Sequence, residues 1–335
     1  MADFADLARL AKISTFATVM IMDMKYMRRA LQLARLGEFG ASPNPMVGAV
    51  IVDDATGRIV GEGFHRRCGE GHAEVNAVAD ADRRGVSLDN TTLYVTLEPC
   101  AHHGKTPPCA QLIIYRGIPR VAVGCADPFA RVAGRGIAMM REAGVEVALV
   151  GGEMERECLD INRKFMTAHT HGRPFVTLKW AMSADGFIDR IRSAGEVPAR
   201  FSLPHGQVLV HRERALHDAI AVGSRTEIMD RPRLDVRHWP GGRVPRRVCF
   251  DRVRPLDLQL ADLYAEGVTS LLVEGGATLA GSFLDAGLWD EIRTETSPMI
   301  LGDGVPAPRL PVDAVEISCM KIGPNALKTY KNGLN

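Results

Sequence analysis

The sequence predicts an α/β protein of two domains, and two observations carry that reading. Apolar runs of strand length alternate with helical patterns along most of the chain, which is how a sheet covered by helices reads. The alternation starts afresh beyond residue 170, and 335 residues with 46% apolar content hold material for two cores. Charge and composition then exclude other classes. Forty-one Lys and Arg against 40 acids leave a net charge of +1, so no global field favours nucleic acid or an anionic membrane. No apolar run approaches the roughly 18–20 residues a membrane-spanning helix needs. Thirty-three Gly and 19 Pro are ordinary. Seven scattered Cys in so long a chain suit a reducing, cytoplasmic setting, where a Cys that matters is a metal ligand or a nucleophile.

Residues 1–23 read as a poorly ordered extension. Asp3 and Asp6 stand where a secretion signal would carry basic residues, and Met24 is a second start-like methionine before a patterned helix. Met24 to Gly37 is that helix, closed by glycine. Val47–Val52 and Arg58–Gly63 form a hairpin through Asp53–Gly57. His72–Asp82 is helical, Thr92–Leu97 is a buried strand, and Cys109–Tyr115 is a helix. Arg120–Gly124, Ile137–Glu142 and Val145–Val150 add strand, helix and strand. A polar helix over Glu153–Ala168 and a turn at Thr170–Pro174 end a first domain of 24–168. In the second, 172–335, strands are expected at Phe175–Met182, Ala219–Val222, Arg247–Phe250 and Ser270–Val273. Helices are expected near Val208–Leu216, Leu258–Ala265 and Ala277–Asp285.

The chemistry concentrates in His72-Ala73-Glu74, Pro99-Cys100 and Cys109. One imidazole and two thiolates leave a fourth position open for a reacting water, as a catalytic zinc site requires. Glu74, two residues beyond the histidine, reaches that water without binding metal. Two alternatives stay open on these residues alone. His72 is a helix cap beside ordinary buried thiols, or the zinc is structural with His102, His103 or Cys68 as fourth ligand. Gly104-Lys105-Thr106 is not the end of a phosphate-binding P-loop, because the position five before Gly104 is Pro99.

The His-x-Glu and Pro-Cys signature resembles the cytidine-deaminase-like zinc deaminases. Eight residues lie between Cys100 and Cys109. That long insert, Ser42-Pro43-Asn44-Pro45-Met46-Val47-Gly48-Ala49-Val50 and Val132-Ala133-Gly134-Arg135-Gly136 are similar to the bifunctional deaminase/reductase family of riboflavin biosynthesis. The resemblance runs from Met24 to about Pro308. It implies an N-terminal cytidine-deaminase-like three-layer αβα domain with zinc on His72, Cys100 and Cys109, and Glu74 as catalytic proton carrier. The implied substrate is a small phosphorylated pyrimidine, 2,5-diamino-6-(5-phosphoribosylamino)pyrimidin-4(3H)-one, with Asn44 against the pyrimidine and Lys105 a candidate for the phosphate.

In the second half no Gly-x-Gly-x-x-Gly occurs. Val273-Glu274-Gly275-Gly276 ends a strand and opens a helix, leaving backbone N–H groups where a pyrophosphate could sit. Thr177-Leu178-Lys179, Ser183-x-Asp185-Gly186, Gly223-Ser224-Arg225-Thr226 and Asp230-Arg231-Pro232-Arg233-Leu234 follow the same family's reductase domain in order. The resemblance implies a dihydrofolate-reductase-like α/β fold that uses NADPH. Ala181, Thr226, Asp230 and the run Gly276, Ala277, Thr278, Leu279, Ala280, Gly281 and Ser282 would line the cofactor. Arg214, Leu234, Arg237 and Glu274 would hold the substrate, the arginines on its phosphate. A homo-oligomer without nucleic-acid or membrane partners is expected.

Three departures stand out. Gly195–Ser202 lacks the family's Ser-x-Trp, so no serine or tryptophan there is assigned. The chain is short by several dozen residues between 252 and 270, which leaves open a deaminase whose C-terminal half is a scaffold. Arg252 replaces a small hydroxyl residue near the cofactor, where a basic group is chemically able to meet a 2′-phosphate.

Overall fold

The computed structural model describes residues 24–101, 107–128, 134–193, 195–274 and 276–334. The expectations for 1–23, His102, His103, Lys105, Val132, Ala133 and Gly275 lie outside the described residues. The chain divides into two compact units between Met166 and Thr167.

In the first unit five strands form one sheet: β1 (Gly48–Asp53), β2 (Arg58–Phe64), β3 (Thr91–Leu97), β4 (Arg120–Cys125) and β5 (Glu146–Leu149), in the order β2-β1-β3-β4-β5. β1 runs antiparallel to β2 and β3, and β3, β4 and β5 run parallel. Side chains alternate across a strand, so each central strand feeds two cores. Ala49, Ile51, Leu93 and Val95 pack on one face with helices Ala73–Arg83, Cys109–Tyr115 and Arg135–Glu142. Val50, Val52 and Tyr94 pack on the other with helices Met24–Arg35 and Gly152–Ile161. The result is the three-layer αβα arrangement. Helix Ala73–Arg83 lies so close to β2 that a Cβ on Gly63 would stand 2.3 Å from Ala77 N and 2.5 Å from Ala73 O. Only glycine allows that approach.

The expected helix over Glu153–Ala168 is two helices, Gly152–Ile161 and Arg163–His171. Asn162 stands at the break, where its Oδ1 accepts from Met46 N (2.7 Å) and its Nδ2 donates to Met46 O (2.9 Å). A side chain that satisfies a distant backbone on both edges competes with continuing the helix.

In the second unit seven strands form a mixed sheet: β6 (Phe175–Met182), β8 (Ala219–Ala221), β9 (Arg246–Val248), β10 (Ser270–Glu274), β11 (Glu291–Thr296), β13 (Ala314–Ile322) and β14 (Asn325–Asn332). Their order is β13-β14-β11-β6-β10-β8-β9, while β7 (Phe187–Asp189) and β12 (Val305–Pro306) pair separately. β11, β6, β10, β8 and β9 run parallel, and β13 and β14 close one edge as an antiparallel hairpin. Val176, Leu178, Trp180, Leu271 and Val273 build the main core with Leu260, Leu263 and Phe283 from helices Leu256–Ala265 and Ala277–Asp285. Ile220, Val222, Leu234 and Leu272 form a smaller core. Helices Pro204–Ala215 and Ser224–Asp230 complete the unit. The first begins four residues before its expected start, with Pro204 in its opening turn. One ten-residue helix, Leu256–Ala265, occupies the stretch expected to be short.

Candidate active sites

Three elements of the first unit bring the nitrogen–sulfur site together. His72 precedes helix Ala73–Arg83 at its cap position, yet its side chain makes no capping bond. Its Nδ1 turns instead to Cys109 Sγ at 3.3 Å and Cys100 Sγ at 3.7 Å. Cys100 follows β3 in the loop after Pro99, and Cys109 opens the next helix, its backbone N–H donating to Cys100 Sγ at 3.3 Å. The three donor atoms lie within 4.8 Å of one another. Ligands 2.0–2.3 Å from a tetrahedral zinc stand about 3.6 Å apart, so the donors and spacing fit that ion. Among the described residues no fourth His, Cys, Asp or Glu joins the cluster, and Cys68 is exposed.

The three donors share hydrogen bonds that move their protons in different directions. The Cys109 thiol donates to Cys100, which with His72 brings the Cys100 thiol down to about 4; Cys109 is pushed up by the same bond and by burial. The His72 imidazole is raised by its bond to Cys100. Glu74, in the first turn of its helix and only 3% exposed, has its carboxyl pushed up to about 7, first by burial and then by the Cys100 charge. A carboxyl poised near neutrality both takes and returns a proton.

Asn44 reaches the site through a residue that sequence reasoning missed. Its Nδ2 donates to His65 Nε2 at 3.1 Å, and the His65 ring stands edge-on to His72 with centroids 5.3 Å apart. His65 Nδ1 donates to Gly71 O (3.2 Å), which sets the tautomer with Nε2 as acceptor, and burial lowers the pKa towards the neutral ring in spite of that bond. Asn162, through Met46, fixes the loop that carries Asn44. Glu98 is also new: its buried carboxylate accepts from the backbone N–H groups of Asp127, Gly134, Gly136 and Ile137. It thereby anchors the loop of Cys100 to the helix that follows Gly134. A lone histidine after a strand and a glutamate before Pro-Cys carry no pattern that marks these roles.

The second unit holds a cleft of about 1290 Å³. Ala181, Thr226, Asp230, Gly276, Ala277, Thr278, Leu279 and Ser282 line it, and so do Arg214, Leu234, Arg237 and Glu274. Ala280 and Gly281 do not: they lie around the helix from the lining residues, and Ala280 is buried in the core. Gly276 caps helix Ala277–Asp285 at φ 75°, and a Cβ there would meet Thr226 Oγ1 at 3.4 Å. Leu234, buried among Ile220, Val222 and Leu272, holds a left-handed φ of 49°. Pro198 to Ser202, where no Ser-x-Trp stands, also faces the cleft.

Arg214 is paired within the cleft it lines. Its Nε and Nη2 donate to both Glu274 oxygens at 2.9 and 2.6 Å, and Nη1 donates to Asp235 O. Glu274 is buried, and its carboxyl stays below the ordinary range because this bidentate pairing overcomes the desolvation that would raise it. Arg214 thus fixes Glu274, which leaves Arg237 as the more exposed of the two cations. Asp230 is neutralised in turn by Arg192 at 2.5 Å, so little negative charge faces an anionic ligand there.

A water-activating donor set on a three-layer αβα unit, joined to a separate α/β unit with a glycine-capped cleft, defines a two-domain deaminase and reductase class. The zinc-binding region of cytidine and deoxycytidylate deaminases matches residues 20–125, and the RibD C-terminal domain matches 174–260 and 253–326. The riboflavin biosynthesis protein RibD of Aquifex aeolicus is 33% identical, covering 89% of this chain and 93% of that protein. Its Escherichia coli counterpart is 36% identical, covering 84% and 89%. The crystal structure of a diaminohydroxyphosphoribosylaminopyrimidine deaminase/5-amino-6-(5-phosphoribosylamino)uracil reductase from Thermotoga maritima superposes with a TM-score of 0.79 at 33% identity, covering 92% of this chain and 98% of that one. The chain belongs to the RibD family of riboflavin biosynthesis.

Proposed function

We propose that this chain catalyses two successive steps of riboflavin synthesis. Its N-terminal unit hydrolytically deaminates 2,5-diamino-6-(5-phosphoribosylamino)pyrimidin-4(3H)-one. Its C-terminal unit reduces the ribosyl group of 5-amino-6-(5-phosphoribosylamino)uracil to ribityl with NADPH. The convergence of His72, Cys100 and Cys109 beside a buried Glu74 carries the reading.

His72, Cys100 and Cys109 would hold zinc, which when bound would supply the Lewis acidity that makes water nucleophilic at neutral pH. Glu74 takes the proton of the attacking water at its carboxylate, passes it to the ring nitrogen and then assists departure of ammonia. Asn44, with its amide nitrogen directed to His65, presents its carbonyl oxygen to the pyrimidine. In the second unit Ala181, Thr226 and the first turn after Gly276 line the cleft and would hold the nicotinamide dinucleotide, while Glu274, held by Arg214, and Leu234 and Arg237 would face the substrate. The chemistry that NADPH would supply there, when bound, is hydride for reduction at the ribosyl C1′.

Purified, zinc-loaded chain is expected to release ammonia from the diaminopyrimidine phosphate and to oxidise NADPH when given the deaminated intermediate. Absence of either signal refutes the corresponding half. Seven free cysteines support a reducing cytoplasmic setting, and among the described residues no helix is long and apolar enough to cross a membrane. The edge strand Ala314–Ile322 exposes Val315, Ile317 and Met320, which supports a homo-oligomer measurable by light scattering.

A further inference from the structure

We infer that Arg252, with Ser224, forms a recognition site for the 2′-phosphate of NADPH and sets the preference for the phosphorylated dinucleotide. The inference rests on reading the second unit's cleft as the cofactor site. Gly223, which caps helix Ser224–Asp230, stands opposite the turn at Gly276: a Cβ on Gly276 would lie 3.8 Å from the Cα and N of Gly223. A pyrophosphate bound at the start of helix Ala277–Asp285 would therefore lie against the start of helix Ser224–Asp230. The next residue, Ser224, accepts a hydrogen bond from Arg252 Nη2 at 2.7 Å, and Ser224, Arg225 and Arg252 line the same cleft. The adenosine ribose adjoins the pyrophosphate, so its 2′ substituent falls within reach of this pair.

The site is built rather than incidental. Gln259, on helix Leu256–Ala265, accepts from Asp251 N (2.8 Å) and donates to Asp251 O (3.0 Å) and Arg254 O (2.8 Å). Asp251 Oδ1 accepts from Val253 N at 2.8 Å. Four bonds thus fix the loop that presents Arg252. Among the described residues no carboxylate pairs with Arg252 or Arg225, whereas Arg192, Arg214, Arg237 and Arg254 all have acidic partners. An unpaired guanidinium already oriented by a hydroxyl is suited to a phosphate dianion, which both groups can engage through charge-assisted hydrogen bonds.

The probes are 2′,5′-ADP and 5′-AMP, which differ by the one phosphate, measured by calorimetry on the full zinc-loaded chain. Wild type is expected to prefer 2′,5′-ADP, and Arg252→Ala is expected to lose about tenfold or more of that affinity with little change for 5′-AMP. Arg252→Lys should recover part of the loss, and Gln259→Ala should give a smaller loss of the same selectivity. Val253→Ala, at an exposed neighbour, should retain it. Undiminished preference in Arg252→Ala, or an equal loss for both probes, overturns the inference while leaving the cofactor reading intact. Failure of wild type to bind either probe overturns the cofactor reading and the inference together.

Discussion

The two halves of this chain build their sites in opposite ways. In the N-terminal unit a donor set from residues 72 to 109 is fixed by side chains: two sulfurs, an imidazole and a buried carboxyl. In the C-terminal unit the cleft draws on residues from Lys179 to Val305, and the wall around Gly223 and Gly276 is made of backbone turns and small residues as much as of charged groups. Side-chain chemistry at fixed spacing is written in the sequence. Backbone cradles and long-range ion pairs are not, because many sequences produce the same turn.

If the halves are chemically independent, a change in one should leave the other intact, and four changes test this in descending order of effect. Glu74→Gln should lower deamination about a thousandfold or more while zinc content, read by atomic spectroscopy, and NADPH oxidation persist. Equal loss of both activities would tie the halves together. Arg214→Met leaves Glu274 buried and unpaired, so the second unit should lose about 3–5 kcal/mol in thermal or denaturant unfolding, with zinc content and ammonia release retained. Asn162→Ala frees the Met46 backbone and the loop of Asn44. It should cost about 1–3 kcal/mol and raise the KM for deamination more than it lowers kcat, with no change in reduction.

The smallest effect concerns pH. Burial, aided by Arg214, pushes His211 down to about 4 from an ordinary 6.5, so the unfolded chain binds the extra proton between those values. Stability of the second unit therefore falls as pH drops from about 6.5 to about 4 and levels off below. A His211→Gln variant should show a shallower fall in unfolding midpoint over that window, and an unchanged slope would assign the dependence to other groups.

The strand and helix pattern of the first unit, its hairpin and the residues of its nitrogen–sulfur cluster were legible because burial on both faces and reactive residue types leave strong local signals. The break at Asn162 was not, since no glycine or proline marks it and its cause is a bond to Met46, 116 residues away. β11 and β14 were missed because Glu-Ile-Arg-Thr-Glu-Thr and Asn-Ala-Leu-Lys-Thr-Tyr-Lys-Asn carry few apolar residues, whereas Ala-Val-Glu-Ile-Ser-Cys-Met-Lys-Ile of β13 does carry a strand-like apolar pattern that was passed over. His65 and Glu98 act through partners that only the fold brings near. The pairing of Arg214 with Glu274, 60 residues along the chain, was not legible either, and Ala280 and Gly281 turn from the cleft by helical periodicity. The shortened stretch illustrates the same limit. Its single helix supplies Gln259 to the loop of Arg252, a consequence that length alone does not reveal.

The most direct measurement is NADPH oxidation by the Glu74→Gln variant, supplied in turn with the diaminopyrimidine phosphate and with its deaminated product. Two independent sites in one chain require no oxidation with the first and the wild-type rate with the second. No oxidation with the deaminated product, by this variant and by wild type alike, would contradict the account and leave the C-terminal half a scaffold for the deaminase.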